Sequence, residues 1–468
     1  MTSIAATFFI LLLGACKVLA NGFQIDWEND DSIKEAASVM AADLMTSYEG
    51  NLPGQTPGLL FLKPDPEPWW WAGAVLFSTM VDYWHFTKDT KYNDVVKAAM
   101  VHQSGVNQDF LTPNWTAHMG NDDQGFWGMT AMLAAETGFD DPKPGEPQWL
   151  ASAQGVFNTM AAPDRQSDSC GGGLRWQINF YSPGFDYKNS ISNGILFNLG
   201  ARLARYTGNN TYEEWANKMW DWERSVGLIT DGYAVYDGAH IDKKTQNCTA
   251  ITITEYTYNS AVWLQGAAFL YNHTKGDPEW KKRVEGLLDH MLKQFFPKNI
   301  ITETSCQNDE TNICTRDRFL HKGVSIRWLT SIAQVAPFTA EKINPVLEAS
   351  AKAAASHCTG GDNGRMCGFQ WSSGQHDGTI NIGTQMTALS AVLSGLYRRG
   401  GGSVAPPLTH DTGGTSKGDA GAGSNAGVNH LGRSGAHPVT TAGKVGAGFL
   451  TIFLLGSILG VEAWILFD

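Results

Sequence analysis

The sequence predicts an all-α fold: six helical hairpins closed into an (α/α)6 barrel. Three observations lead there. Apolar residues recur at helical spacing in about twelve separate stretches. Alternating strand patterns are few. A helix-end motif returns at gaps of several tens of residues, which marks an internal repeat of helical hairpins.

The elements follow in order. Ile33, Ala36, Ala37, Met40, Ala41 and Leu44 repeat at helical spacing, so a helix is expected over 33–48. Residues 51–68 are rich in Pro and Gly and read as a loop. Further helices are expected at 70–86, 92–103, 124–137, 149–161, 190–206, 212–226, 255–272, 278–295, 319–330, 341–357 and 383–397. The recurring motif is plainest at 83–92, 203–212 and 270–280, with a looser copy over 135–149. Each copy has a helix end, a Thr with Gly or Lys, a polar turn, and an aromatic opening the next helix. Six such hairpins around one axis make a toroid. An open solenoid is the alternative, and the catalytic-looking loops favour the closed form. Residues 234–236 and 251–253 read as short hairpin strands.

The chain has 468 residues, 43% hydrophobic and 17% charged, enough for a large core. Its net charge is −12 with no basic block, which argues against a nucleic-acid partner. Gly421-Ala422-Gly423 has no flanking strand or helix and is no nucleotide loop. No CxxC spacing or His cluster suggests a metal, and no cofactor motif is present.

Both ends read as processing signals. Residues 1–20 have an apolar stretch ending in Val18-Leu19-Ala20, a secretory signal cleaved before Asn21, although its start lacks the usual basic side chain. The barrel domain is expected over 21–398. Residues 399–444 are dominated by Gly, Ser, Thr and Pro and are expected to be a disordered linker. Residues 445–468 form an apolar tail interrupted by Glu462. Small residues such as Ser434-Gly435-Ala436 precede it, the pattern of a GPI-attachment signal; a transmembrane helix is the rival. These features predict a monomer on the extracellular face of the plasma membrane, in contact with the cell wall. Six cysteines remain after the leader is removed: Cys170, Cys248, Cys306, Cys314, Cys358 and Cys367. Proximity suggests Cys306–Cys314 and Cys358–Cys367, leaving Cys170–Cys248, one of about fifteen possible arrangements. Asn114, Asn209, Asn247 and Asn272 lie in glycosylation sequons.

The chemistry is concentrated in Gly120-Asn121-Asp122-Asp123-Gln124-Gly125-Phe126-Trp127. Two carboxylates stand where an apolar helical pattern begins. One reading is a helix N-cap, since Asn and Asp are common caps. The other is a glycosidase pair, one carboxylate the nucleophile and the other the general acid. Gly120 and Gly125 would then permit tight turns and close approach of a sugar.

Four runs together with a fifth carry a resemblance. They are Trp70-Trp71-Ala72-Gly73-Ala74 with Tyr83-Trp84, Asn121-Asp122-Asp123-Gln124 with Trp127, Lys188 through Gly194, Tyr258-Asn259 with Val262, Trp263 and Gly266, and Phe319 through Val324 with Arg327. Over 33–396 the chain resembles glycoside hydrolase family 76, and within it the GPI-anchored fungal cell-wall mannosidases. The resemblance implies an (α/α)6 barrel and cleavage of α-1,6-linked mannose with retention of configuration. It implies Asp122 as nucleophile and Asp123 as acid/base. The expected partners are α-1,6-mannan or a GPI-core glycan, with a β-glucan as a further acceptor. A non-catalytic cell-wall carbohydrate-binding protein is the alternative.

Lining residues are expected around the pair. Trp70, Trp71, Trp127, Trp176, Tyr258 and Trp371 could stack on sugars, or belong to the core. Asn121, Gln124, Gln177, Asn189, Asn193 and Asn259 could bond hydroxyls, or serve as caps and buried amides. Lys322 and Arg327 could face an anionic substituent, or solvent. Cys170-Gly171-Gly172-Gly173 reads as a disulfide-tied turn.

Overall fold

Several helix starts in this chain are fixed by side chains that satisfy free N–H groups. Asn29, Asn189, Asn209 and Asp277 each accept from the first turn that follows them. The structure, a computed structural model, describes residues 22–61, 69–112, 119–307, 314–399, 406–424 and 451. Among these are thirteen helices: α1 Asp30–Met45, α2 Trp70–Thr87, α3 Asn93–Gln103, α4 Asn121–Thr137, α5 Trp149–Ala161, α6 Ser190–Thr207, α7 Asn210–Val226, α8 Thr257–His273, α9 Pro278–Phe295, α10 Thr304–Gln307, α11 Arg318–Val335, α12 Ala340–Ser356 and α13 Ile382–Arg399. All but the single-turn α10 answer to a helix expected from periodicity.

The long helices fall into two classes. In α2, α4, α6, α8 and α11 almost every position is buried. The outer helices α7 and α9 bury only one stripe, as an amphipathic surface helix must. The buried class with α13 packs in a closed cycle, α2 on α4, α4 on α6, α6 on α8, α8 on α11, α11 on α13 and α13 on α2. That cycle is the inner ring of an (α/α)6 barrel. Glycines let its members close. A Cβ on Gly266 would meet the Phe197 ring at 2.4 Å, and one on Gly194 would meet Val262 at 2.6 Å.

All inner helices point the same way. Their C-terminal ends are tied below by the buried Arg202–Glu136 pair, Arg202 Nη2 donating to Glu136 at 2.6 Å. Arg205 donates to Asn272, which donates in turn to the Val335 carbonyl. Asn272 is thus bonded through both amide atoms, a poor sequon beside the exposed Asn209 and Asn247. Asn114 lies outside the described residues.

Long connections leave from the upper end. One carries a three-stranded antiparallel sheet, β1 Tyr187–Asn189, β2 Tyr236–Ile241 and β3 Cys248–Glu255, in the order β1-β2-β3. Another carries the pair β4 Cys358–Gly360 and β5 Met366–Cys367. The strand expected at 251–253 lies within β3; of that expected at 234–236 only Tyr236 belongs to β2, Val235 making an isolated bridge to Ile229. The bonds Cys170–Cys248, Cys306–Cys314 and Cys358–Cys367 form as sequence proximity suggested. Lys188 donates to the carbonyls of Ser169, Gly172 and Gly173, so the glycines after Cys170 make a tied turn.

One expectation needs correction. Residues 406–424, within the stretch whose composition reads as a disordered linker, form an ordered strap. Leu408 N–H bonds to the Glu136 carbonyl, and Arg205 donates to the carbonyls of Pro407 and Leu408. The strap then climbs α5: Leu150 N–H donates to Ser416 Oγ, Asp419 N–H to Gln154 Oε1, and Asn158 Nδ2 to the Ala420 and Ala422 carbonyls. Composition predicts disorder from lack of apolar area, whereas this segment docks through backbone polar groups. The leader is outside the described residues, as is the apolar tail apart from Thr451.

Glu223 on α7 is fully buried, and neither carboxyl oxygen has a hydrogen-bond partner among the described residues. Burial pushes its pKa up to about 8, offset only in part by the nearby Ser190 hydroxyl. An acid whose folded pKa is raised contributes stability below its unfolded pKa and loses it as pH rises through the folded value. Wild-type stability should therefore fall by about 3 kcal/mol between pH 4.5 and 7 on account of this group. Glu223→Gln should flatten that slope, read from urea unfolding at the two pH values.

Candidate active site

The N-termini of four inner helices converge at the upper end of the barrel. α4 begins three residues earlier than periodicity predicts, so Asp122 and Asp123 lie inside its first turn rather than ahead of it. The turn is set by the chain that crosses it. Asn121 N–H donates to the Trp176 carbonyl at 2.8 Å, and Gly120 bridges Gln177. Asp123 Oδ2 accepts the Gly120 N–H at 2.7 Å. This is one half of a capping box; Gly120 has no side chain to supply the other. The cap reading and the catalytic reading thus fall on the same residue.

Asp122 Oδ1 accepts the Asp123 N–H at 3.1 Å, and its Oδ2 accepts Asn189 Nδ2 at 3.3 Å. Both residues are part-buried rather than sealed in the core. Burial and the charge of Asp123 hold Asp122 well above the usual carboxylate range. Burial, with Asp317 adding to it, pushes Asp123 up to about 6, against the opposing Gly120 N–H. Two acids so close cannot both ionise cheaply, so the pair titrates as one unit that retains a proton at mildly acid pH.

The wall opposite comes from residues the sequence did not single out. Asp237, on β2, accepts from the Tyr187 hydroxyl at 2.8 Å and from Asn259 Nδ2 at 3.3 Å. Burial raises its pKa. Asp317 accepts the Arg318 N–H at the start of α11, and its charge acts on Asp123, Asp237 and Tyr258. Tyr258 feels Asp122 as well, and its ring stacks on His321 at 3.9 Å. His321 in turn lies 3.3 Å from the buried Glu303, which accepts from both the backbone and the hydroxyl of Thr257 at the start of α8. Asp122, Asp123, Asn189, Asp237, Tyr258 and Asp317 therefore form one cluster linked by hydrogen bonds and by charge at the mouth of the barrel, with Trp176 beside Gly120; the space between them is the candidate hollow. No signal but an isolated acid beside a glycine marks Asp237 in the sequence; Asp317 is marked only by preceding a helix.

Several expected lining residues are elsewhere, each for a physical reason. Trp70 and Trp127 are core: Trp70 Nε1 donates to Gln103 and Trp127 Nε1 to the Trp70 carbonyl. Trp71 is half-buried against Phe126, ring centroids 4.8 Å apart. Asn121 and Gln124 are consumed by Arg165, whose Nη1 donates to Asn121 at 2.6 Å and Nη2 to Gln124 at 3.3 Å. Asn193 pairs with both backbone groups of Leu174. Asn259 is fully buried and holds Asp237. Trp371 is buried, with the fully buried Lys322 ammonium 4.2 Å from its ring and bonded to the Phe369 carbonyl at 2.6 Å. Lys322 therefore holds the connection between β5 and α13 to α11 and meets no solvent. Arg327 pairs with Asp82 at 2.5 Å and donates to Ser78. Asp82 is twelve residues along α2 from Trp70, about 18 Å down the barrel, in an enclosed cavity of about 140 Å³ whose lining includes Phe126, Trp328, Pro407 and Leu408. The glycines have packing roles too: a Cβ on Gly120 would strike Asp122 Oδ1 at 2.2 Å, and one on Gly125 would strike Ile195 at 2.6 Å.

A barrel of twelve paired helices with two successive acids at its mouth limits the possible relatives, and a family profile decides among them. Glycosyl hydrolase family 76 matches residues 32–411. The chain belongs to that family. It is 42% identical over 449 residues to the mannan endo-1,6-alpha-mannosidase DCW1 of Saccharomyces cerevisiae, covering 96% of each chain. To DFG5 of the same yeast, also a mannan endo-1,6-alpha-mannosidase, it is 38% identical over 449 residues, 96% of this chain and 95% of the other. The crystal structure of Dfg5 from Chaetomium thermophilum in complex with glucosamine is similar with 45% identity and a TM-score of 0.81, covering 86% of this chain and 98% of that one. An α-1,6-mannanase of Salegentibacter shares the fold at 16% identity and a TM-score of 0.62, covering 78% of this chain and 99% of its own.

Asn189 tests the electrostatics of the acid pair. Its N–H donation lowers the pKa of Asp122. Asn189→Ala should raise that pKa further and move the acid limb of the pH–rate profile to higher pH. It should lower kcat about tenfold, the worth of one hydrogen bond to a charged group.

Proposed function

We propose that this protein is a retaining mannan endo-1,6-alpha-mannosidase of the fungal cell surface, with Asp122 as nucleophile and Asp123 as acid/base. The observation that carries the reading is the pair of successive, part-buried carboxyls sharing one hollow, in a chain similar over nearly its whole length to proteins of that name. Asp122 receives two N–H donors, from Asp123 and Asn189, which favour its anion and aim it. Asp123 receives one, on Oδ2. Burial and the charge of Asp123 raise Asp122 further than burial and Asp317 raise Asp123, so the proton shared by the resting pair must lie on Asp123, with Asp122 ionised, when the bond is attacked. Asp122 would attack the anomeric carbon as Asp123 protonates the departing glycosidic oxygen. Asp123 would then take a proton from the incoming hydroxyl, which displaces Asp122 and releases the sugar with its configuration retained.

The acceptor sets the outcome. Water gives hydrolysis, while a glucan hydroxyl gives transfer of a mannoside to the wall. The four carboxyls around the hollow disfavour phosphorylated sugars and suit neutral or amino sugars. The relative crystallised with glucosamine fits that preference. A secretory leader, a GPI anchor and N-glycans at Asn209 and Asn247 belong to the same proposal, supported by the composition of the two ends and the exposure of those asparagines. Lys322 and Arg327 have no part in it.

The purified protein, given an α-1,6-manno-oligosaccharide and a β-glucan oligosaccharide, should yield shorter mannosides or joined products, read by mass. Asp122→Ala and Asp123→Ala should each lower the rate by about a thousandfold or more while the helical circular dichroism is kept. Unchanged glycan binding with no turnover in the wild type would favour the non-catalytic binding protein instead.

A further inference from the structure

Leu52, Val106, Phe180, Tyr181, Ile253 and Ile380 are the large hydrophobic side chains exposed among the described residues. All six lie on connections from an outer helix to the next inner one, at the mouth of the barrel. The described connections at the opposite end carry none. Single exposed apolar residues are ordinary on any surface, but this one-sidedness follows the site.

Phe180 and Tyr181 stand apart within the group. Tyr181 is 81% exposed and Phe180 45%, and their ring centroids are 3.8 Å apart. They are held there by structure. Asn179 Oδ1 accepts the Tyr181 N–H at 3.0 Å, and the Asn179 carbonyl accepts the Ser182 N–H at 3.0 Å. Phe185 meets Phe180 edge-on at 6.1 Å, and the Arg175 guanidinium lies 4.4 Å from the Phe185 ring while donating to its carbonyl. The loop is continuous with the site. Trp176 accepts from Asn121, Gln177 bridges Gly120, and Ile178 N–H donates to the Met119 carbonyl. Phe180 is two residues further on, within about 7 Å of chain.

We propose that Phe180 and Tyr181 form a platform on which a pyranose ring of the glycan chain stacks, beyond the residues that flank the cleaved bond. An aromatic face suits the C–H face of a neutral hexose, and the Tyr181 hydroxyl adds a polar contact at its rim. The ligand class is an extended neutral polysaccharide. The platform selects for chain length, since only a chain that extends past the residues flanking the cleaved bond gains its contact. The inference rests on the mannosidase reading.

The test compares wild type with the Phe180→Ala, Tyr181→Ala double variant on α-1,6-mannotriose and α-1,6-mannohexaose. The variant should raise KM for the hexaose roughly three- to tenfold, with kcat and the constants for the triose unchanged. Binding of the hexaose to an Asp122→Asn, Asp123→Asn background, with and without the platform changes, should show the same factor in Kd. Equal constants for the hexaose in both comparisons would overturn the platform and leave the mannosidase reading intact. A wild type that cleaves neither sugar would sink the mannosidase reading; the binding comparison would still decide the platform. Loss of binding to vesicles of anionic phospholipid with unchanged hexaose constants would assign the patch to a membrane and overturn it. The single variant Tyr181→Ser repeats the measurement if the double variant is poorly secreted.

Discussion

The site depends on where α4 begins. A helix that starts one residue later would turn both carboxyls about its axis and out of the shared hollow. Three constraints fix the start. The strand-like passage of Trp176–Ile178 takes up the backbone of Met119–Asn121, Asp123 closes on the Gly120 N–H, and Arg165 grips Asn121 and Gln124 from beneath. Burial lowers the Arg165 pKa to about 10, which still leaves it charged at any working pH. Its charge answers two amide oxygens that would otherwise be buried without donors. The acids can be adjacent because the residues on either side of them, Asn121 and Gln124, are wholly given to holding the turn.

The barrel divides its labour along its axis. The lower half is tied by buried ion pairs and amides, Arg202–Glu136, Arg327–Asp82, and Asn272 between two neighbours. Breaking a buried pair leaves an unpaired charge, so these bonds fix the ring strongly once formed. The upper half has long connections with short sheets, and there the side chains of the candidate site are gathered from distant points of the chain. Asp122 and Asn189 are 67 residues apart in sequence and meet because α4 and α6 are neighbours in the ring. A rigid lower ring thus sets the separation of loops that carry the chemistry.

The outer helices were legible from their single apolar stripe, and the inner ones from long apolar stretches bounded by the recurring turn motif, since they are buried on most faces. Asp122 and Asp123 were legible because the signal is local: two acids, flanking glycines and the start of an apolar pattern. Asn189 and Tyr258 were reachable through their motifs. Trp70, Trp127, Trp371, Asn121, Gln124, Asn193, Lys322 and Arg327 were not separable from lining residues by residue type. The same amide or indole that could meet a sugar can equally meet a backbone carbonyl, and only the fold says which it does. Asp237 and Asp317 were illegible for the converse reason: each is an isolated acid whose importance comes from partners far away in sequence. The 406–424 strap was misread because low apolar content says little about a segment held through its backbone.

That strap has a geometric consequence. It is caught first beneath α4 and α6, at Leu408, and ends with the Gly423 N–H on the Asn107 carbonyl, in the connection that enters α4. It therefore carries the polypeptide from the closed base back up to the open rim. The described strap thus ends at Ser424 on the rim side of the barrel rather than at its base. Lying along α5 through Ser416, Asp419, Ala420 and Ala422, it clamps an outer helix to the ring over most of that helix's length.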